Sequence, residues 1–449
     1  MDPRAWLTGQ ILYPLWDLKD RSNRLREWRA LERSQWLPAP ELKRRQWEAA
    51  RRIVGYAASE SPFTRSRLEA AGVTAANVTP DTWSRIPILT KQEIRANTDG
   101  LLSKEFRRED LLQAKTGGST GTALRVYFDS RCQEFRNAAA IRSDRWAGWR
   151  PGMRRVAVWG NPPLPRTLKA RLRNALHDRM EFLDTMEIND ISLRRFLDSA
   201  RKPTPFAIQG HAHSIYIAAR WLERHGEQGI RPRSVITTSM MLLRSERETI
   251  ERVFGCRVSD RYGCEEVGLI ASECEEHRGM HLNADHLLVE CLRENGEPAA
   301  PGEEGFLVIT DLVNRGMPLI RYRIEDVGAL SDRVCPCGRG LPLLERLTGR
   351  TADFLVRADG SLVAGVSLVE RTLTALKGIE QMQIVQDALD RFRLRLVTAE
   401  GYGPETEDAL VREFRTVFGD RADVALEVVD RISQDPSGKY RFSISHVPY

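Results

Sequence analysis

The chain has 449 residues, enough for one large core and a smaller one, and its 41% hydrophobic and 29% charged residues are those of an ordered globular protein. It carries no low-complexity tract and no repeat of solenoid period, which excludes fibrous, disordered and repeat architectures. Sixty-eight Lys+Arg against 62 Asp+Glu leave a charge of +6, strongest toward the N-terminus and too modest to imply nucleic acid.

Met1 to Lys19 is interrupted by Asp2, Arg4, Asp17 and Lys19, so it lacks a signal-peptide core and is too polar to span a bilayer. Its Trp6, Leu7, Ile11, Leu12 and Trp16 fit either an amphipathic surface anchor or a helix packed on its own domain. The basic excess suits a nucleotide, CoA or an anionic surface, or is simply a solvated helix face. Over residues 40–60, Trp47, Ala50, Ile53, Val54 and Ala57 fall on one helical stripe, and residues 1–80 read as mainly helical.

From about residue 154 the pattern changes. Val156–Trp159, Phe206–Ile208 and Val235–Thr237 read as short strands alternating with helices, the signature of an α/β layer with parallel strands. Ser245 and Glu248 predict a capping box, with Ile250, Val253 and Phe254 as the apolar face and Gly255 as the stop. The next strand delivers Tyr262-Gly263 at its carboxyl end, where α/β folds bind ligands. Leu287–Leu292 and Phe306–Thr310 predict a hairpin, and Phe392–Leu396 with a helix over Glu405–Phe418 predict a separate small unit. The boundary falls at 350/351, giving domains 1–350 and 351–449.

Lys115-Thr116-Gly117-Gly118-Ser119-Thr120-Gly121-Thr122 gathers glycines and hydroxyls able to surround phosphate oxygens. The same loop satisfies Gly-x-Ser-x-Gly, the motif of a serine hydrolase. That nucleophile turn requires a helix directly after the serine, whereas Ala123–Phe128 reads as a strand.

Four more segments follow in order. Tyr262-Gly263-Cys264-Glu265-Glu266, Thr310-Asp311-Leu312 with Pro318 to Asp326, Leu347 to Asp353, and Ser437-Gly438-Lys439 together resemble the core motifs of adenylate-forming ligases, most closely the phenylacetate–CoA ligase-like and capsule-biosynthesis-protein-like branch. The resemblance spans about residues 85–449. It implies a large α/β adenylation domain with a β-rich subregion and a small mobile α+β domain that swings about a hinge near Arg350–Asp353. It also implies AMP-forming activation of a carboxylic acid, then transfer to a thiol, with CoA the expected acceptor. Transfer to an amine or hydroxyl, as in polysaccharide or natural-product biosynthesis, is the alternative.

By that resemblance Thr116, Gly117, Gly118, Ser119, Thr120 and Gly121 hold the ATP phosphates, Tyr262 stacks on adenine, Glu266 binds Mg²⁺, Asp326 takes the ribose hydroxyls, Arg350 lies on the nucleotide and Lys439 is catalytic with Glu266. The chemistry agrees. Attack of a carboxylate on an α-phosphate needs anionic repulsion removed, which Mg²⁺ and a lysine supply. The chain departs from the motif pattern at Ala123, Met240, Glu265 and Ala352. A homodimer is compatible with these features.

Seven cysteines include Cys335-Pro336-Cys337, a spacing for metal and not for a disulfide framework, and they imply a reducing cytoplasm. With Cys274 and His277 they make a four-ligand structural Zn²⁺ set, His281 being the alternative fourth ligand. His211 and His213 flank a helix start and read either as surface residues or as acyl-pocket lining.

Overall fold

The computed structural model describes residues 2–116, 124–159, 167–184, 189–350, 354–360, 362–433 and 441–447. Helix Ala39–Glu60 forms on the predicted stripe, burying Ala50, Ile53, Val54 and Ala57, and Trp47 meets Trp83 edge-on at 5.6 Å. These side chains share one cluster with Leu288, Leu312 and Ile320, so the opening helices cover one end of the main sheet. No described helix is long and apolar enough to cross a membrane.

Among the described residues, eleven strands form one continuous sheet with two halves. Met180–Asp184, Arg154–Trp159, Phe206–His211, Ser234–Thr238 and Val258–Cys264 run parallel in that spatial order. A Cβ at Gly210 would lie 2.0 Å from the Val158 carbonyl oxygen, so only glycine admits this strand spacing. Beyond Val258–Cys264 every neighbour is antiparallel: Gly268–Glu273, Met280–Leu282, Leu343–Arg350, Tyr322–Ser331, Glu304–Asp311 and Leu287–Leu292. A register shift between Tyr262 and Gly263 marks the junction. The Tyr262–Glu266 motif therefore sits where the parallel and antiparallel halves meet.

The helix before that junction corrects one expectation. It runs Arg244–Phe254, and the carboxylate accepting the N-terminal Leu243 N–H, at 3.2 Å, belongs to Glu246. Glu248 instead pairs with Arg244 at 2.9 Å, while Gly255 closes the helix in the left-handed region at φ 64°.

Leu112–Thr116 pairs antiparallel with Leu124–Phe128, and the second of these is the strand expected after Ser119. In the C-terminal part, Asp423–Val428, Arg391–Thr398, Ile379–Ala388 and Ser443–Ser445 make a four-stranded sheet. With helices Gly365–Ala375 and Pro404–Phe418 it encloses Phe392, Leu394, Leu410 and Phe414. Leu243 joins that core, Arg224 pairs with Glu380, and His213 meets Phe442 edge-on at 5.8 Å, which docks the unit on the helices of the parallel half. Residues 351–353 of the expected hinge lie outside the described residues.

Candidate active site at the sheet junction

Two segments distant in sequence, 262–266 and 322–326, converge at the junction. The Tyr262 hydroxyl donates to Asp326 Oδ2 at 2.6 Å, and the Tyr322 hydroxyl donates to Glu266 Oε1 at 2.9 Å. Both carboxylates are buried, and their charges add to burial in pushing the Cys264 thiol well up. Burial and the Glu266 charge likewise raise Tyr322, which keeps its phenol protonated and donating. Arg350 lies directly across the strand ladder from Asp326.

Tyr262 is itself buried in the core, so its hydroxyl has the task of holding Asp326 in addition to the adenine contact expected of its ring. A carboxylate offers about four lone-pair sites, so one tyrosine does not exhaust Asp326. Thr116 ends the strand Leu112–Thr116. Gly117, Gly118, Ser119, Thr120, Gly121 and Lys439 lie outside the described residues.

Sequence reading missed the residue that ties the site together. Arg136, on helix Ser130–Trp146, donates through Nη2 to the Glu266 carbonyl at 2.7 Å and to Asp311 Oδ2 at 3.1 Å, with its guanidinium over Phe128 at 4.5 Å. Asp311 in turn accepts the backbone N–H groups of Val313 and Asn314, both at 3.0 Å. No local motif surrounds Arg136. A buried arginine on a helix is visible only once its partners are folded against it. Arg136→Met strands the fully buried Asp311 charge and is expected to cost about 3–5 kcal/mol of stability. Denaturant unfolding checks it, and Arg136→Met with Asp311→Asn should recover part of the loss.

His211 and His213 are both buried, which corrects the surface reading, and His213 is hydrogen-bonded to the buried Glu246. Trp159 lies 4.6 Å from the His211 ring.

A second cluster lies on the antiparallel half. Cys274, His281, Cys335 and Cys337 present their ligand atoms within 4.8 Å of one another. Cys274 Sγ is 3.7 Å from Cys335 Sγ, and Cys337 Sγ is 3.2 Å from His281 Nε2. The fourth member is thus His281 and not His277, the first choice on spacing. His277 takes a left-handed backbone, φ 51°, and turns its ring to Glu273 at 3.3 Å. His281 is on the strand that pairs with Leu343–Arg350, which brings it to the Cys335–Cys337 turn.

The surroundings suit a ligand set. His281 Nδ1 lies 3.2 Å from the Leu341 carbonyl, which fixes the proton there and frees Nε2. Burial lowers this histidine to about 4 and raises the Cys274 and Cys335 thiols. Gly338 turns at φ 82°, and the Arg339 N–H points to Cys337 Sγ at 3.5 Å.

Comparison with known proteins agrees with the fold and extends it. Residues 355–446 match the CapK C-terminal domain. Protein CapK of Staphylococcus aureus is 24% identical over 390 residues, 85% of this chain and 83% of its own. Phenylacetate-coenzyme A ligase of Thermus thermophilus is 26% identical over 420 residues, covering 88% of this chain and 91% of that protein. The crystal structure of 2-hydroxyisobutyryl-CoA ligase in the postadenylation state superposes with a TM-score of 0.74 at 20% identity, over 92% of this chain and 91% of that one. The chain is a relative of Protein CapK and of the phenylacetate-coenzyme A ligases, and it has the fold of the adenylate-forming acyl-CoA ligases.

Proposed function

We propose that the protein uses ATP and Mg²⁺ to convert a carboxylic acid into an acyl adenylate and pyrophosphate, then passes the acyl group to the thiol of CoA. The observation that carries this reading is the convergence of Tyr262, Glu266 and Asp326, from segments about sixty residues apart, on one sheet junction. Relatives named phenylacetate-coenzyme A ligase, and a neighbour in complex with 2-HIB-AMP, support it.

In this reading Glu266 supplies a hard oxygen ligand for Mg²⁺, which offsets charge on the phosphates as the carboxylate attacks. Tyr322 fixes the Glu266 carboxylate, and Arg136 fixes its backbone. Asp326, held by Tyr262, accepts the ribose hydroxyls. The loop Thr116 to Gly121 surrounds the phosphates, Arg350 lies on the nucleotide, and Lys439 stabilises the acyl–phosphate oxygen before the C-terminal unit swings away.

Cys274, His281, Cys335 and Cys337 would hold a structural Zn²⁺. Zinc–sulfur bonds of about 2.3 Å at tetrahedral angles set ligand atoms about 3.7 Å apart, close to the separations above. Four such side chains would complete a closed coordination sphere, so a bound ion would pin the Cys335–Cys337 turn to the antiparallel strands and have a structural role.

Pyrophosphate release across a panel of aryl and fatty acids tests the first half-reaction. Release is expected only with ATP, Mg²⁺ and an accepted acid together. Pre-formed adenylate should then yield product with CoA and not with amines or hydroxyl acceptors. Absence of acid-dependent release across the panel would remove the reading.

A further inference from the structure

The helical stretch Pro3–Lys19 is docked on its inner side. A Cβ on Gly9 would lie 2.3 Å from the Pro151 carbonyl oxygen, and one on Gly152 would lie 2.1 Å from that of Ala5, so backbone meets backbone there. Thr8 Oγ1 donates to the Leu176 carbonyl at 3.0 Å, and Arg179 pairs with Asp2 at 3.1 Å. Tyr13 stacks on His177 at 4.3 Å. The two sequence alternatives, packed helix or surface anchor, are therefore not exclusive.

Its other side faces out and is apolar. Leu7, Ile11, Leu15 and Leu18 recur three or four residues apart and are exposed, Leu18 to 76%. The helical stretch beside it, Leu168–Asp178, adds Leu168 at 84%, with Leu172 and Leu176, again at four-residue spacing. These two stripes, with Trp6, gather eight of the fourteen exposed large hydrophobic side chains among the described residues into one region. Scattered single leucines need no explanation, but a joined patch does.

The rim decides the occupant. Arg4, Lys19, Lys169 and Arg173 flank the leucines and are exposed, and Lys19 and Arg173 both sit over the Trp16 ring. Of the nearby carboxylates, Asp2 pairs with Arg179, Asp17 with Arg24, and Asp178 with His177 and Arg173, while Asp20 is exposed beside Lys19, so the four exposed cations outnumber it. A leucine stripe between cationic flanks, on helices lying flat against a globular body, matches the boundary between acyl chains and anionic headgroups. We propose that this face, built by residues 3–19 and 168–176, seats the protein on an anionic lipid surface without crossing it.

Flotation of the full-length protein with vesicles tests this. Binding is expected to vesicles of phosphatidylglycerol and phosphatidylcholine, to be at least tenfold weaker to phosphatidylcholine alone, and to fall as salt rises, because the headgroup attraction is screened. Leu15→Asp with Leu18→Asp should lower binding at least tenfold with the thermal midpoint and gel-filtration volume unchanged, since both side chains are already in water. Lys169→Glu with Lys19→Glu should weaken binding to the anionic vesicles only. The proposal is overturned if the wild type floats with neither vesicle, or if the leucine variant binds as well. It is equally overturned if light scattering finds a dimer that the leucine variant splits, which would make a second copy the occupant.

Discussion

Glu266→Gln is expected to lower acid-dependent pyrophosphate formation by about 10³-fold, or about 4 kcal/mol of transition-state stabilisation. The change keeps the shape and a hydrogen-bonding oxygen for Tyr322, yet removes the charge that a hard divalent cation requires. Tyr322→Phe is the control, because it deletes one hydrogen bond to the same carboxylate and should cost only about 1.5–3 kcal/mol, the range for a bond to a charged group. The two are told apart by metal titration: raising Mg²⁺ should recover part of the Gln variant's activity and little of the Phe variant's. The hydrolase alternative predicts the reverse order. There Ser119 is the nucleophile, so ester cleavage proceeds without ATP, tolerates Glu266→Gln and stops with Ser119→Ala.

The candidate site was legible from the sequence in its carboxylates and hidden in its supports. Glu266 and Asp326 sit in strings that name themselves through order along the chain, and strand patterning put Tyr262 at a carboxyl end. What spacing does not carry is how the strands cross. That the sheet changes from parallel to antiparallel after Val258–Cys264 is a matter of pairing partners far apart in sequence, and this junction is what sets Tyr322 on Glu266 and Tyr262 on Asp326. Arg136 escaped for the same reason, since its partners Glu266 and Asp311 lie well over a hundred residues downstream. The helix cap at Leu243 went to Glu246 because that carboxylate also meets His213 from the neighbouring helix, a tertiary contact outweighing a local Ser-x-x-Glu pattern. The buried histidines 211 and 213 were open to either reading because a helix start is exposed in isolation, and their cover is tertiary, Trp159 for His211 and Phe442 of the C-terminal unit for His213.

The metal cluster shows the same division, and it yields the other large effect. Spacing selected the three cysteines, but the four-residue offset that separates His277 from His281 is resolved only by the strand pairing that carries His281 to the Cys335–Cys337 turn. Protein prepared without chelators is expected to contain about one zinc per chain, and Cys335→Ser with Cys337→Ser should abolish it. Because the apo cluster packs two buried thiols against a neutral imidazole, loss of the ion leaves the turn held chiefly by Arg339, which reaches Glu275 at 2.9 Å and Gln35 at 3.0 Å. A drop in unfolding free energy on the order of 5 kcal/mol should follow, a fraction of what structural zinc supplies in domains that depend on it wholly. The histidines give the sharper comparison. His281→Ala should release the metal and His277→Ala should retain it, read by elemental analysis on variants that both remain folded. Zinc absent from the wild type, or lost equally from both histidine variants, would leave the cluster as packed thiols with no ion between them.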